Sequence, residues 1–345
     1  MTGRIMALPR RGVPYVECLY NAMTDPTVEM IEGEGSGLRL FHGTSRGDLV
    51  HIHWPSFCYD SQDSAVRTWV GLTNFIGQVT SARMRGARFV WTAHNLYPHD
   101  GGRDRLVHRI ARRFFTRMVE TIFAHGPTAA DAVAKEWNIP RRRIVQIPHG
   151  NWIDYYPHDV SRAEARRRLS LSPTTFVYGF VGLCKPYKGL EKLIETFSRC
   201  EGDCALMVAG AFQSAEYLAT ISKLLAALPP EKVRFEPRFL KPDEIQYYLT
   251  ACDAFITPYR QILTSGSAIL ALSFGRPVIA PNLGNLRDII HAKNGILYDP
   301  ASPVGLLDAM GAVRNATFSE AEILAGARSM RWSEAADALI RALRA

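Results

Sequence analysis

Residues 182–189, GLCKPYKG, set two lysines, Lys185 and Lys188, on a turn that closes at Gly189 and runs into the amphipathic pattern LEKLIETF. A helix start carries partial positive charge and free N–H groups, so cations beside it make a clamp for a phosphate. A second turn of this kind follows the strand-like run AFITPY: Thr264, Ser265, Gly266 and Ser267 stand directly before AILALSFG. Gly266 permits close backbone approach there, and the three hydroxyls are suited to capping the helix or bonding phosphate oxygens. PNLGNLRDII adds a third loop-to-helix turn with Gly284 and Asp288. Two or three anion-binding turns in one half of a chain predict a nucleotide diphosphate.

The first half carries a different chemistry. HIHWPSF puts His53 and Trp54 just past an apolar run, and WTAHNLYPHDGG puts His94, Asn95, Tyr97, His99 and Asp100 past another. Trp54, Tyr97 and Trp91 suit the apolar faces of sugar rings, while imidazoles and amides suit hydroxyls. Asp100, His99 and His53 are the candidates for a general base that takes a proton from an acceptor hydroxyl. Gly12, in PRRGVPYVE, follows the first strand-like run and is a candidate contact for donor phosphate or acceptor, with Arg10, Arg11 and Glu17 beside it. His51, His53, His94 and His99 do not have the spacing of a zinc site. No D-x-D occurs, so no metal and no bound cofactor are expected.

These residues need elements to position them. Continuous apolar runs (RIMAL, LVHIHW, RFVWTAHN, TIFAHG, RIVQIPHG, then FVYGFVG, ALMVAG, VRFEPRF, AFITPY, RPVIAP, GILYD) alternate with helical patterns. That alternation predicts an α/β chain of parallel sheets covered on both faces, with ligands at the carboxyl edges. The chain is expected to form two Rossmann-like domains with a cleft between them. The boundaries predicted are 1–155 and 172–330, joined by a polar, Arg-rich connection. Residues 331–345 form a terminal helix that crosses back to the first domain. GEGSG at 33–37 is not G-x-G-x-x-G and has no convincing strand before it, and no P-loop is present. That argues against a dehydrogenase and a P-loop kinase.

Of 345 residues, 47% are hydrophobic and 21% charged, and Lys plus Arg exceed Asp plus Glu by 41 to 33, a net +8. An anionic partner is implied: a nucleotide, a lipid phosphate or a membrane surface. No helix-turn-helix, zinc finger or basic tail points to nucleic acid. Six scattered cysteines read as reduced thiols, and the absence of a signal peptide or membrane-spanning run predicts a cytoplasmic protein. In GRDRLVHRIARRFFTRMVETIF, residues 102–123, Leu106, Val107, Ile110, Phe114, Phe115 and Met118 recur at helical spacing. Arg105, Arg109, Arg112, Arg113 and Arg117 line the other side, so this basic helix is expected to face anionic lipid.

VGLCKPYKGLEKLI followed by PYRQILTSGSAILALSFGRPVIAP resembles the donor-binding half of GT-B glycosyltransferases, a likeness that extends over nearly the whole chain. It implies that Lys185, Lys188 and the TSGS loop bind the diphosphate of a sugar nucleotide, with Gly189, Tyr259, Arg260 and Asp288 at the same donor site. It also implies that His94, with Asn95, touches the donor sugar, and that Gly12, Trp54 and Tyr97 serve the acceptor. The large retaining group of that fold carries two glutamates eight positions apart; Ile262 and Leu270 stand there instead, and Leu183 replaces an arginine. HIHWP, TAHNLYPHD, GLCKPYKGLE and PYRQILTSGSAILALS together resemble the β-mannosyltransferases of xanthan-type exopolysaccharide assembly. That resemblance implies GDP-mannose, inversion, and an acceptor on a polyprenyl diphosphate at the inner membrane face. A UDP-sugar transferase using glucuronate or glucose, a sugar-nucleotide epimerase, and a non-catalytic nucleotide-binding scaffold are the other readings.

Overall fold

The computed structural model describes residues 3–33, 39–61, 64–98 and 105–345. The chain folds as two compact units, Met1–Gly150 with Arg331–Ala345, and Asn151–Met330.

In the first unit six parallel strands, β1 (Gly3–Leu8), β2 (Val28–Glu32), β3 (Leu49–Ile52), β4 (Arg88–Thr92), β5 (Thr121–His125) and β6 (Ile144–Ile147), line up in the order β2-β1-β3-β4-β5-β6. Helices α1 (Pro14–Asn21), α2 (Ala65–Met84), α3 (Leu106–Met118) and α4 (Pro127–Trp137) cover the faces. β3 and β5 are apolar and inaccessible almost throughout because both sheet faces are covered. β2 was not expected from the sequence: VEMIE is an edge strand, half exposed and carrying Glu29 and Glu32, and it ends directly before the glycines at 33–37. The terminal helix Trp332–Arg344 packs on α1, β1 and β6. Its end is held by Arg88, whose guanidinium donates to the carbonyls of Leu343 and Ala342, both at 3.0 Å. Those carbonyls have no partner within the helix, and a cation favours that end of the dipole.

The second unit is also a six-stranded parallel sheet, β7 (Phe176–Val181), β8 (Cys204–Ala209), β9 (Val233–Glu236), β10 (Ala254–Ile256), β11 (Val278–Pro281) and β12 (Gly295–Tyr298), in the order β12-β11-β10-β7-β8-β9. Helices α5 (Arg162–Arg168), α6 (Leu190–Phe197), α7 (Ala215–Ala226), α8 (Ile245–Ala251), α9 (Gly266–Ser273), α10 (Leu286–Ile289), α11 (Gly305–Asn315) and α12 (Glu320–Ser329) lie on both faces. One apolar core forms on each side of the sheet.

Both sheets are doubly wound, and each has one place where the strand order reverses: between β1 and β3, and between β7 and β10. Loops leaving neighbouring strands part company there and open a crevice at the carboxyl edge. The loops at these two places carry His53 in the first unit and the GLCKPYKG and TSGS turns in the second.

Candidate active site: paired anion turns and a buried histidine chain

In the second unit, Gly182 follows β7 with φ +129°, a conformation side chains avoid. A β-carbon there would lie 3.6 Å from both Lys188 Nζ and Ser267 Oγ. The lysine of one turn and the hydroxyl of the other therefore converge on the same glycine. Gly210, after β8, is packed still closer, since a β-carbon would sit 1.9 Å from the Gly182 carbonyl oxygen. Lys188 is 7% exposed, with the rings of Phe180 and Tyr259 at 5.8 and 5.9 Å. Among the described residues its ammonium has neither a hydrogen bond nor an ion pair. The stem is buried while the ammonium nitrogen is not enclosed by protein, so the charge is left free to meet an anionic ligand. In the second turn, the Thr264 hydroxyl is buried without a hydrogen-bond partner among the described residues. Lys185 is half-buried at the start of the short turn Pro186–Lys188.

Other residues of this set support the loops rather than face a ligand. Ser265 is 2% exposed; its Oγ accepts the Ala268 N–H at 3.1 Å as the cap of α9, and it donates to the Tyr259 hydroxyl at 3.4 Å. Tyr259 is itself buried. Gly189, at φ +71°, is needed because the Pro258 carbonyl lies 2.1 Å from where a β-carbon would be, and the Arg260 N–H donates to the Tyr187 carbonyl. The exposed Arg260 side chain pairs with Glu191 at 3.3 Å, and Asp288 is exposed on α10. Sequence reasoning missed two anchors. Asn285, 1% exposed, accepts the Ser265 N–H at 3.1 Å, and the Trp152 indole N–H donates to the Gly266 carbonyl at 3.1 Å. Neither has a local sequence signal.

In the first unit, Thr92 Oγ1 lies 2.8 Å from His51 Nε2, and His51 Nδ1 lies 2.9 Å from the Tyr20 hydroxyl. That hydroxyl is 2.7 Å from His53 Nε2, and His53 Nδ1 is 3.0 Å from His94 Nε2. His94 stacks on Trp54 (4.5 Å, 18°) and meets the edge of Tyr15 at 4.5 Å. His125, His149 and Trp332 pack around the same tyrosine. Burial pushes His51 down to about 3 and His149 to about 4, and drives His53, His94 and His125 well below the ordinary imidazole range. These rings are neutral at neutral pH.

Several expectations change here. His53 is fully buried with both ring nitrogens engaged, so it does not reach a substrate hydroxyl as a base. Trp91 is also buried, its indole N–H donating to the His53 carbonyl at 3.2 Å, and offers no face to a sugar. The Tyr97 hydroxyl donates to Glu136 at 3.0 Å, which directs it toward α4 rather than Trp54. Trp54, Asn95 and His94 remain partly exposed, and Gly12, at φ +81°, donates its N–H to Glu17. His99 and Asp100 lie outside the described residues. Among those described, no group of three or more His, Cys, Asp or Glu is arranged to hold a metal ion.

On α3, Arg109, Arg113 and Arg117 point outward, together with Leu106 (56% exposed) and Ile110 (38%). With Tyr97, Trp137 and Arg143 they line a groove of about 830 Å³. Val107, Ala111 and Phe115 form the inner face, so the apolar and basic residues do not divide as the sequence predicted. Arg112 is a further correction. It is fully buried, its Nε donates to the Leu96 carbonyl at 3.1 Å, and its guanidinium lies 5.1 Å from the Trp91 ring. It cannot face lipid. Arg105 is partly buried and pairs with Asp60 at 3.4 Å.

Two doubly wound parallel units, one with paired anion turns at its reversal point, define a GT-B glycosyltransferase, and the chain belongs to that class. Residues 71–151 match Glycosyltransferase Family 4, and residues 175–315 match Glycosyl transferases group 1. It is 24% identical to the GDP-mannose:glycolipid 4-beta-D-mannosyltransferase of Xanthomonas campestris pv. campestris over 78% of this chain and 69% of that protein. It is 29% identical to the D-inositol 3-phosphate glycosyltransferase of Geodermatophilus obscurus over 59% of this chain and 47% of that one. Anabaena HepE, solved with UDP-glucose, superimposes with a TM-score of 0.73 at 15% identity, covering 99% of both chains.

Proposed function

We propose that the protein transfers mannose from GDP-mannose, with inversion, to form a β-linkage on a lipid-linked saccharide in exopolysaccharide assembly. The observation that carries a nucleotide diphosphate donor is the Lys188 ammonium, without a hydrogen bond or ion pair among the described residues, converging with Ser267 Oγ on Gly182. The mannosyl donor and glycolipid acceptor are supported by the name of the Xanthomonas relative. In this reading the acceptor oxygen attacks C1 of the hexose as the bond from C1 to the diphosphate oxygen breaks. The hydroxyl proton passes to a general base, for which Asp100 and His99 are the candidates. Lys188, Lys185 and the start of α9 take up the charge that grows on the leaving diphosphate, so the step uses no metal ion. His94 and Asn95 contact the donor sugar, and Trp54 and the Gly12 turn meet the acceptor.

The same reading has the protein act at the cytoplasmic face of the membrane, on an acceptor carried by a polyprenyl diphosphate. Arg109, Arg113 and Arg117 alternate with exposed Leu106 and Ile110 along α3, a face that suits anionic headgroups. Among the described residues no helix is long and apolar enough to cross a membrane.

The test is thermal unfolding against GDP, UDP, dTDP and ADP. A nucleotide at 100 times its Kd adds about 2.7 kcal/mol of stability. Stabilisation by GDP alone supports the reading, UDP alone overturns the choice of sugar, and no shift with any of them overturns the diphosphate site. GDP release that requires a lipid-linked acceptor then separates transfer from epimerisation and from scaffolding. Sedimentation with phosphatidylglycerol vesicles, lost when Arg109, Arg113 and Arg117 become Gln, tests the membrane face.

A further inference from the structure

Five side chains in the first unit form one unbroken run: Thr92, His51, Tyr20, His53 and His94. They come from β4, β3, α1, the end of β3 and the loop after β4, so the run lies on the β3 side of the place where the strand order reverses. Four of the five are buried, and His94 alone is partly exposed. Each link joins one nitrogen or hydroxyl to the next, and every neutral imidazole has one proton to give and one lone pair to receive with.

That arithmetic restricts the protons. Tyr20 has a single hydroxyl proton and sits between two histidine nitrogens. If it donates to His53 Nε2, His53 carries its proton on Nδ1 and gives it to His94 Nε2, while His51 donates from Nδ1 to the tyrosine oxygen. All three histidines are then Nδ1–H. If Tyr20 donates the other way, all three are Nε2–H. A mixed set breaks a link or leaves the tyrosine proton unpaired in a buried place, which costs stability.

Thr92 selects between the two. Its side chain is fully buried and, among the described residues, its only hydrogen-bond partner is His51 Nε2 at 2.8 Å. In the Nε2–H arrangement the threonine would accept from His51 and its own proton would have no acceptor. In the Nδ1–H arrangement it donates, and every proton in the run is paired.

We propose that Thr92, His51, Tyr20 and His53 are positioning residues that hold His94 as the Nδ1–H tautomer, so that its free ring nitrogen is a fixed hydrogen-bond donor. The stacking of Trp54 and the edge contact of Tyr15 fix the ring plane, and the run fixes which nitrogen carries the proton. A donor of this kind matches an acceptor oxygen, from a sugar hydroxyl or a phosphate, and does not serve as a proton-abstracting base. The run is not a store for a proton taken up at His94. Moved inward, that proton would rest on His51, which burial holds at about 3, and at pH 7 this is disfavoured by ~10⁴-fold. The consequence for catalysis rests on the reading that His94 contacts the donor sugar; the tautomer assignment does not.

The experiment is long-range ¹H–¹⁵N NMR of the full-length protein labelled at histidine ring nitrogens, at pH 7 and without substrate. His51, His53 and His94 are expected to be neutral and all Nδ1–H. Any one of them in the Nε2–H form, or in an equal mixture, overturns the proposal in the wild-type protein, whether or not a variant folds. Tyr20→Phe removes two links at once and should let His94 average between tautomers, while Thr92→Ser, which keeps the hydroxyl, should restore the wild-type pattern seen to be lost in Thr92→Val. Donor kcat/KM should fall on the order of tenfold in Tyr20→Phe. An unchanged kcat/KM there overturns the positioning role. If His94→Gln also leaves turnover intact, the contact of His94 with the donor is what fails, and the tautomer result stands by itself.

Discussion

Lowering the pH from 8 to 5 should destabilise the first unit by several kcal/mol and leave the second much less affected. His51, His53, His94, His125 and His149 are gathered in the first unit with their folded-state pKa values depressed by burial. The sign follows from proton uptake. Above about pH 6.5 these groups are neutral in both states and contribute nothing. As the pH falls below that value the unfolded chain gains protons that the folded chain refuses, until about 3 for His51 and about 4 for His149. At pH 5 each of these two costs ~2 kcal/mol, so together ~4 kcal/mol, and the other three add in the same direction. That is a large share of a typical stability of about 5–15 kcal/mol. Most carboxylate titration in an unfolded chain falls below this range, so the histidines dominate the window. Urea unfolding followed by tryptophan fluorescence is a suitable assay. Trp54, Trp69, Trp91, Trp137 and Trp332 are in the first unit and only Trp152 is in the second. With a slope of ~2 kcal/mol per molar urea, the midpoint should drop by about 2 M or more. A midpoint that moves by less than about 0.5 M would show that the histidines are hydrated and refute the reasoning.

Lys188→Ala should raise the Kd for GDP by about 10- to 100-fold, the loss of one or two charge-assisted bonds, without lowering the melting temperature of the unliganded protein; calorimetric titration reads both. An unchanged Kd would place the diphosphate elsewhere. Thr264→Val removes a buried hydroxyl that has no partner, so the unliganded protein should be as stable or slightly more so, while nucleotide affinity falls by about fivefold. Equal effects on both measurements would contradict the assignment. Gly210→Ala forces a β-carbon to within 1.9 Å of the Gly182 carbonyl at φ +148°, so the second unit should lose ~1–3 kcal/mol in denaturant titration and GDP affinity should drop with it.

The shapes of the two glycine turns in the second unit were legible because their signals are contiguous. A glycine, a cation or hydroxyl and a helix start lie within eight residues of one another at GLCKPYKG and at TSGS, and local chemistry dictates the local shape. The strands were legible where both faces are buried and the apolar run is continuous; β2 was not, because an edge strand needs apolar residues on one face only. The helix α3 shows a finer failure. Arg109, Arg113 and Arg117 fall four apart and share a line, whereas Arg112 falls one residue before that line, about 100° around the helix, beside His108 and Phe115. Counting arginines as one basic face hid that difference. HIHW and TAHN displayed the three histidines of the run but none of its links, since Tyr20, His51 and Thr92 are brought together over separations of 31 and 41 residues by the fold.

The glutamate pair missing from the donor half has a physical counterpart in the structure. Ile262 and Leu270 pack partly buried against the core of the second unit, and the Ile262 carbonyl lies 2.3 Å from where a β-carbon of Gly284 would be. The loop between β10 and α9 is thus held by apolar packing, by the Asn285 and Trp152 hydrogen bonds, and by a glycine that allows backbone to meet backbone. Carboxylates at 262 and 270 would put negative charge on the loop that carries Thr264 and Ser267, and would oppose a diphosphate there unless a sugar or ribose hydroxyl engaged them. With apolar residues in their place, the cationic field of Lys185 and Lys188 would act on the phosphates of such a ligand undiminished. Recognition of a hexose by this protein would then have to come from groups outside that loop.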